Sequence, residues 1–270
     1  KRTRYYGPDY AEITVRGSRY NTGEGIDMLL EAGVDDTGQW GGAHMALIDR
    51  SSPPVEGGAN RVDGYQYGVL INNHGERFFD EGEDARAHTY AKLGRIIFEE
   101  PGHEAYIIVD AALRELMRAT GPSDPVEGDS VEEVLDALGC WEPAKGAETV
   151  AAFNAACDPG PFDPDILDGN STEGLDLEKS NWAVPLDEPP YIGYAVTGGI
   201  TFGFGGVRTD ARARALDSVG RPFPGLYVAG NTTGGLFFDN YPGGTGLMNG
   251  AVYGKIAAEE VAGTIELPSA

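Results

Sequence analysis

Glycines 246, 250 and 254 stand four apart inside "YPGGTGLMNGAVYGKIAAEEVAG", residues 241–263, a stretch whose other side chains read as one helix. Each glycine in a helix interior costs about 1 kcal/mol relative to alanine, so the three together cost roughly 3 kcal/mol. Something pressed against this helix must offset that. A helix beginning near Thr245 presents unpaired N–H groups and a positive dipole end. Gly243, Gly244 and Gly246 would let a flat ligand touch its backbone, while Gly250, Gly254 and Ala258 leave one face bare for a strand or a neighbouring helix. A tight helix–sheet contact explains the spacing equally well, and a glycine turn before a helix start is a generic anion site that names no ligand.

The chain has 270 residues, 41% of them apolar, enough for one large domain or two ordinary ones with a real core. Its formal charge of −23 disfavours nucleic acid and anionic membranes as partners, without excluding a locally basic cleft. Cys140 and Cys157 are the only cysteines, with neither a disulfide framework nor zinc-ligand spacing. No apolar run approaches the ~18 residues of a membrane span, and no basic n-region followed by an apolar core opens the sequence. The expectation is a soluble, cytoplasmic protein with free thiols. The opening, "KRTRYYGPDYAEITVRG", has neither an initiator methionine nor the hydrophobic first strand usual in nucleotide-binding folds.

Ile26, Leu29 and Leu30 fall at helical spacing, with Asn21 or Thr22 as cap and Gly33 as stop. "QWGGAHMALID" reads as a strand, and the proline- and glycine-rich residues 51–64 as a loop or domain crossing. Asn73-His74-Gly75 between two apolar segments has hairpin chemistry. Helices are then expected at "ARAHTYAKLGRIIFEE", "AALRELMRAT", "SVEEVLDALG" and "AKGAETVAAFNAAC", with "AYIIVD" a buried strand and Ser130 with Glu133 a capping box. Residues 158–190 read as an irregular return path. Asp163, Asp165 and Asp168-Gly169 hint at calcium, but Pro164 and the missing later glutamate break that pattern and favour a capped turn. A strand, a hairpin and the strand "LYVA" precede the final helix.

"GRPFPGLYVAGNTTGG" with "NYPGGTGLMNGAVYGKIAAEEVA", and upstream "TGEGIDMLLEAG", "HGERFFDEG" and "GITFGFGGVRTD", resemble the fumarate reductase/succinate dehydrogenase flavoprotein family. Within it the chain is most similar to tricarballylate dehydrogenase-like and 3-ketosteroid dehydrogenase-like members. The resemblance implies an α/β FAD-binding domain, partial because its Rossmann-like ADP-binding unit is missing, interrupted by an inserted α+β capping domain. Residues 1–49 and 196–270 would belong to the FAD-binding domain and 50–195 to the cap. It further implies FAD held by Gly230, Asn231, Gly243, Gly244, Thr245, Gly246 and Leu247, the helix start facing the pyrimidine edge of the isoalloxazine. Many relatives have Gly-Glu where Gly230-Asn231 stands here.

The family's G-x-G-x-x-G turn, which holds the FAD pyrophosphate, is absent, and "FGFGGV" at 202–207 is followed by strand-like sequence and does not replace it. Either the sequence is a fragment, or a second polypeptide supplies the ADP-binding unit. The family's carboxylate-binding His-Thr-x-Gly-Gly and Asn-Arg-x-Gly-Gly become Phe202-Gly203-Phe204-Gly205-Gly206 and Asn240-Tyr241-Pro242-Gly243-Gly244, which argues against a simple dicarboxylate. Tyr241 resembles the phenol with which ketosteroid dehydrogenases polarise a substrate carbonyl. The expected activity is hydride transfer between flavin N5 and a carbon beside an activating carbonyl or carboxylate. A tricarballylate-like enzyme is the alternative, favoured by a basic cap, and a non-catalytic partner subunit is the other.

Arg86 lies one residue from the family's proton-donor arginine, though it also reads as a solvated arginine balancing Glu81, Glu83 and Asp84. His44 matches a substrate-binding histidine in spacing, or is a packed strand residue. His88 and Tyr90 share the Arg86 segment, with Tyr90 a candidate base. Phe202, Phe204, Phe237 and Phe238 form either an apolar wall for a ring-shaped substrate or ordinary core.

Overall fold

The computed structural model describes residues 1–264 except Glu56 and Pro159; residues 265–270 of the expected C-terminal segment lie outside the described residues. The helices are α1 (Arg2–Tyr5), α2 (Glu24–Glu31), α3 (Arg86–Glu99), α4 (Val131–Leu138), α5 (Pro143–Ala156) and α6 (Thr245–Thr264). The strands are β1 (Thr14–Val15), β2 (Asp36–Thr37), β3 (Ala43–Asp49), β4 (Val62–Asp63), β5 (Val69–Asn72) and β6 (Glu104–Val109), then β7 (Arg118–Ala119), β8 (Val126–Gly128), β9 (Tyr191–Gly203), β10 (Gly206–Val207), β11 (Arg214–Leu216) and β12 (Pro222–Tyr227). The chain divides into two compact units: unit 1 is Lys1–Glu12, Ser18–His44 and Ile200–Ala270, and unit 2 is Ile13–Gly17 and Met45–Gly199.

Unit 2 is built on a sheet in the order β1-β9-β6-β5, with β3 and β8 also paired to β9. β5 and β6 run antiparallel with Val69 opposite Ile108, and β6 and β9 antiparallel with Ile107 opposite Tyr194. Residues 13–17 and 45–49, which the sequence reading placed with the first segment, belong to this unit because β1 and β3 hydrogen-bond into its sheet. On α4, Val131, Val134, Leu135 and Leu138 recur at i, i+3, i+4 and i+7 and are all buried, the spacing of a helix with one apolar stripe. Ser130 Oγ accepts from the Glu133 amide at 3.2 Å and the Glu133 carboxylate from the Asp129 amide at 3.0 Å, fixing the start. Gly139, at φ 91°, ends it. Thr89, Leu93, Gly94 and Ile97 of α3 bury in the same way.

Residues 111–120 are not the expected helix. Leu113, Asp187 and Glu188 donate their amides to the buried Asp110 carboxylate, and β7 pairs with β4, so only a single 3-10 turn, Arg114–Leu116, forms. β9 was not anticipated, because Gly193, Gly198, Gly199 and Gly203 break its strand-like pattern. The Asp163–Asp168 turn is capped by its own carboxylate: Asp168 accepts from the amides of Asn170 at 3.0 Å and Trp182 at 2.8 Å.

A charged cluster lies in the core of unit 2. Lys179 is fully buried, its Nζ donating to the Gly68 carbonyl at 2.6 Å and lying 5.6 Å from the centre of the Phe153 ring. Nearby, Arg77 pairs with the equally buried Glu81 at 2.6 Å, and Glu81 also accepts from the Leu70 amide.

In unit 1, β2 pairs with β10 and β11 with β12, around Val34, Val207, Ala215 and Val228. The cap of α2 is Gly23 at φ 86°, not Asn21 or Thr22, while Gly33 closes it as expected, donating to the Leu30 carbonyl. No described helix is long and apolar enough to cross a membrane.

Burial lowers the pKa of Lys179 to about 8. Unfolded, the same lysine keeps its proton to about pH 10.4. Between these values the unfolded chain binds more protons, so stability rises with pH. From pH 7 to pH 10 the stability of the unsubstituted protein should therefore gain about 1–3 kcal/mol relative to Lys179→Met in denaturant melts. A difference independent of pH would show that Lys179 stays protonated in the core.

Candidate active site

Three segments of unit 1 meet without side chains between them. A Cβ on Gly38 would lie 2.5 Å from the Gly235 nitrogen and 2.6 Å from the Phe204 oxygen, and one on Gly234 would lie 2.3 Å from the Thr37 oxygen. The crossing is held by Gly234 N–H to Val207 O at 3.1 Å and Phe204 N–H to Gly42 O at 2.9 Å. Just beyond it, the Gln39 carboxamide grips Asp239 twice: its Oε1 accepts the Asp239 amide at 2.7 Å and its Nε2 donates to Oδ1 at 2.5 Å. That clamp fixes the turn that delivers Tyr241.

Tyr241 is buried, 6% exposed, and its hydroxyl accepts the Gly246 amide at 3.1 Å. A Cβ on residue 246 would come within 3.2 Å of the phenol ring and 3.4 Å of Phe202, which explains this glycine in the first turn of α6. The buried His44, on β3, lies 4.8 Å from the Tyr241 ring and 5.4 Å from that of Phe202. Phe202, Phe204 and Phe237 complete the cluster, Phe237 standing 4.9 Å from Tyr241. Phe238 is not part of it and is 73% exposed. Tyr241 and His44 are thus brought together on an aromatic wall.

The glycine-rich residues lie around the start of α6. The Gly230 carbonyl accepts from Asn249 Nδ2 at 3.2 Å, and Gly250 rests against the Gly230 Cα, so these two glycines bring the 230–233 turn onto the helix. The Asn231, Gly243, Gly244 and Leu247 positions are exposed. Thr245 N–H donates to Pro242 O at 3.3 Å, and Met248 N–H to Gly244 O at 3.2 Å. Gly254, expected to lie against another element, meets nothing within 4 Å among the described residues.

Arg86 opens α3 in unit 2, where its Nε donates to Asp63 at 2.7 Å and its guanidinium lies 4.7 Å from the centre of the Tyr90 ring. It balances none of the three acids expected: Glu81 pairs with Arg77, Glu83 with Lys92 and Asp84 with His88. Sequence reasoning missed Arg16, Arg61 and Asp63, which surround Arg86 electrostatically but are scattered along the chain and carry no motif.

The chain belongs to the FAD binding domain family, matched over residues 3–247. It is similar to a probable fumarate reductase of Shewanella frigidimarina, 29% identical over 96% of this chain and 41% of that protein. It is also similar to the 3-oxosteroid 1-dehydrogenase of Mycobacterium tuberculosis, 29% identical over 94% of this chain and 48% of that one. Among solved structures, the open conformation of a flavocytochrome c3 fumarate reductase superposes with a TM-score of 0.67 at 25% identity, covering 96% of this chain and 43% of that one. The 3-ketosteroid delta1-dehydrogenase of Sterolibacterium denitrificans, at 21% identity and TM-score 0.70, shares the fold. The chain spans about half or less of the length of these relatives. The expected resemblance to fumarate reductase-like flavoproteins holds, and FAD is the cofactor of the family.

The residues present fit such a cofactor. Gly244, at φ +87°, has open space where a side chain would stand, and among the described residues the exposed Leu247 amide has no acceptor. A bare backbone with a first-turn donor at a helix N-terminus suits an electron-rich flat ring.

Gly38→Ala should destabilise the protein by about 2–4 kcal/mol, from its left-handed backbone and the overlap with Gly235. A thermal melt within 1 °C of the unsubstituted protein would show that the crossing yields.

Proposed function

We propose that this chain forms part of an FAD-dependent oxidoreductase acting on a CH–CH bond beside an activating carbonyl or carboxylate. Membership of the FAD binding domain family supports the cofactor, and relatives named as fumarate reductase and 3-oxosteroid 1-dehydrogenase support the bond type. The observation that carries the reading furthest is the buried Tyr241 phenol, tied to the first turn of α6 and packed beside His44. When bound, FAD would supply the ring that exchanges hydride with the substrate carbon through N5. Gly230, Asn231, Gly243, Gly244, Thr245, Gly246 and Leu247 are the residues proposed to hold it.

The chain's own groups do the rest. Tyr241, its oxygen already accepting from Gly246, keeps its hydroxyl proton for a substrate carbonyl, whose polarisation acidifies the neighbouring C–H. His44 contacts substrate beside it, and Phe202, Phe204 and Phe237 exclude water and receive an apolar body. Arg86 serves as proton donor or anion clamp. We further propose that the ADP-binding unit is supplied from outside these residues, by another part of the same protein or by a second polypeptide. The exposed Leu247 and Met248, 79% and 57% accessible, and Val252 give α6 an apolar surface such a unit would cover. Both cysteines are free thiols, in keeping with a cytoplasmic setting.

Purification with its partners should give a yellow protein with oxidised-flavin absorption, whereas a colourless complex that FAD cannot reconstitute would favour a non-catalytic subunit. In stopped-flow, Tyr241→Phe should bind flavin and slow its reduction by substrate about 100-fold. An unchanged rate would remove the role given to the phenol.

A further inference from the structure

Two side chains, Tyr241 and Asn249, fix the start of α6 from one face. Gly246 and Asn249, three residues apart and therefore neighbours on the helix surface, are both buried, while Leu247 and Met248 between them are exposed. Gly246 N–H donates to the Tyr241 oxygen at 3.1 Å. Asn249, 7% exposed, directs its carboxamide nitrogen at the 230–233 turn, donating to the Gly230 carbonyl at 3.2 Å and to Thr233 Oγ1 at 3.3 Å. Thr233 Oγ1 donates in turn to the same carbonyl at 2.8 Å, and the Thr233 amide does so at 3.0 Å. The hydroxyl proton is thus committed to Gly230, the hydroxyl oxygen accepts from Asn249, and both hydrogens of the carboxamide have an acceptor. The turn is anchored to β10 as well, where Val207 bridges Thr233 and its carbonyl accepts the Gly234 amide at 3.1 Å.

Asparagine is a poor helix former, because its side chain competes for backbone groups, and a glycine after it adds to the cost. The pair at 249–250 has a use here. Gly250 meets Gly230 by van der Waals contact alone, which has no direction and does not set how far the helix slides or turns against the 230–233 segment. Two directed bonds from Asn249 remove that freedom. We infer that Asn249 is a positioning residue for the flavin: it sets the register between the 230–233 turn and the first turn of α6, the two segments proposed above to hold FAD, without itself touching the cofactor. The inference rests on that proposed function. The exposed Asn231 on the turn and the exposed Leu247 amide on the helix keep their separation while this pair of bonds holds. A shift of about 1 Å between such groups is enough to loosen a preorganised site. Aspartate could not substitute, since an ionised carboxylate would set oxygen against the Gly230 carbonyl oxygen.

The test is release of FAD from the whole flavin-loaded protein, read as a dissociation constant by flavin fluorescence, with thermal melts of the apoprotein in parallel. Asn249→Asp keeps the size of the side chain and reverses its hydrogen-bonding sense, and Thr233→Val removes the hydroxyl while leaving the helix sequence intact, so it carries the test should the Asp variant not fold. Each should weaken FAD about tenfold and change the visible band of the flavin that remains bound. Thr233→Ser, which restores the hydroxyl, should bind FAD as the unsubstituted protein does. Lowered melts with FAD affinity and spectrum unchanged would overturn the inference and leave Asn249 a purely structural residue. A yellow protein indifferent to both substitutions refutes this inference alone; an unsubstituted protein that FAD cannot reconstitute removes the flavin function and this inference with it.

Discussion

Unit 1 depends on a contact between bare backbones. Where Thr37 and Gly38 cross Gly206 and Gly234–Gly235, any side chain would drive the strands apart, as the 2.3–2.6 Å separations from a notional Cβ show. The crossing sets the position of Gln39, Gln39 holds Asp239, and Asp239 at φ 57° turns the chain so that Tyr241 enters the aromatic cluster. The path from a glycine to the Tyr241 hydroxyl is therefore three steps: a steric exclusion, a hydrogen bond and a left-handed turn. Rigid backbone contacts of this kind suit a site, because they leave no rotamer freedom through which a positioned group could drift.

Unit 2 manages charge differently. Its core takes in Lys179, Glu81 and Arg77, with Glu81 accepting both a guanidinium and a main-chain amide and Lys179 donating to a carbonyl. Buried charges persist where every donor finds an acceptor. Around Asp63, one carboxylate is shared by Arg86 and Arg61, and the buried Asn60 Nδ2 has no hydrogen-bond partner among the described residues.

Periodic segments were legible from sequence. α3, α4, α5 and α6 fall where apolar spacing and capping residues put them, because those signals are local. The helix expected at 111–120 failed because Asp110 and the β4–β7 pairing, both long-range, overrode propensity. β9 was hidden by four glycines that serve packing. The glycine spacing pointed to close contacts, which Gly246 and Gly250 make and Gly254 does not. His44 and Tyr241 could be named because they match a motif, whereas Arg16, Arg61 and Asp63 converge only through folding and had no sequence signal.

In unit 1 the Gly246 amide and the Tyr241 phenol stand in series. Gly246 N–H, at the positive end of α6, donates to the Tyr241 oxygen. A hydroxyl that accepts a hydrogen bond becomes a stronger donor, since each bond in a chain polarises the next. The helix dipole adds to that polarisation within its first turn. The positive end of a 20-residue helix is thereby delivered through one buried oxygen to whatever accepts the phenol's proton. Glycine at 246 fits this arrangement, since a Cβ there would stand 3.2 Å from the Tyr241 ring and press it aside by a few tenths of an ångström.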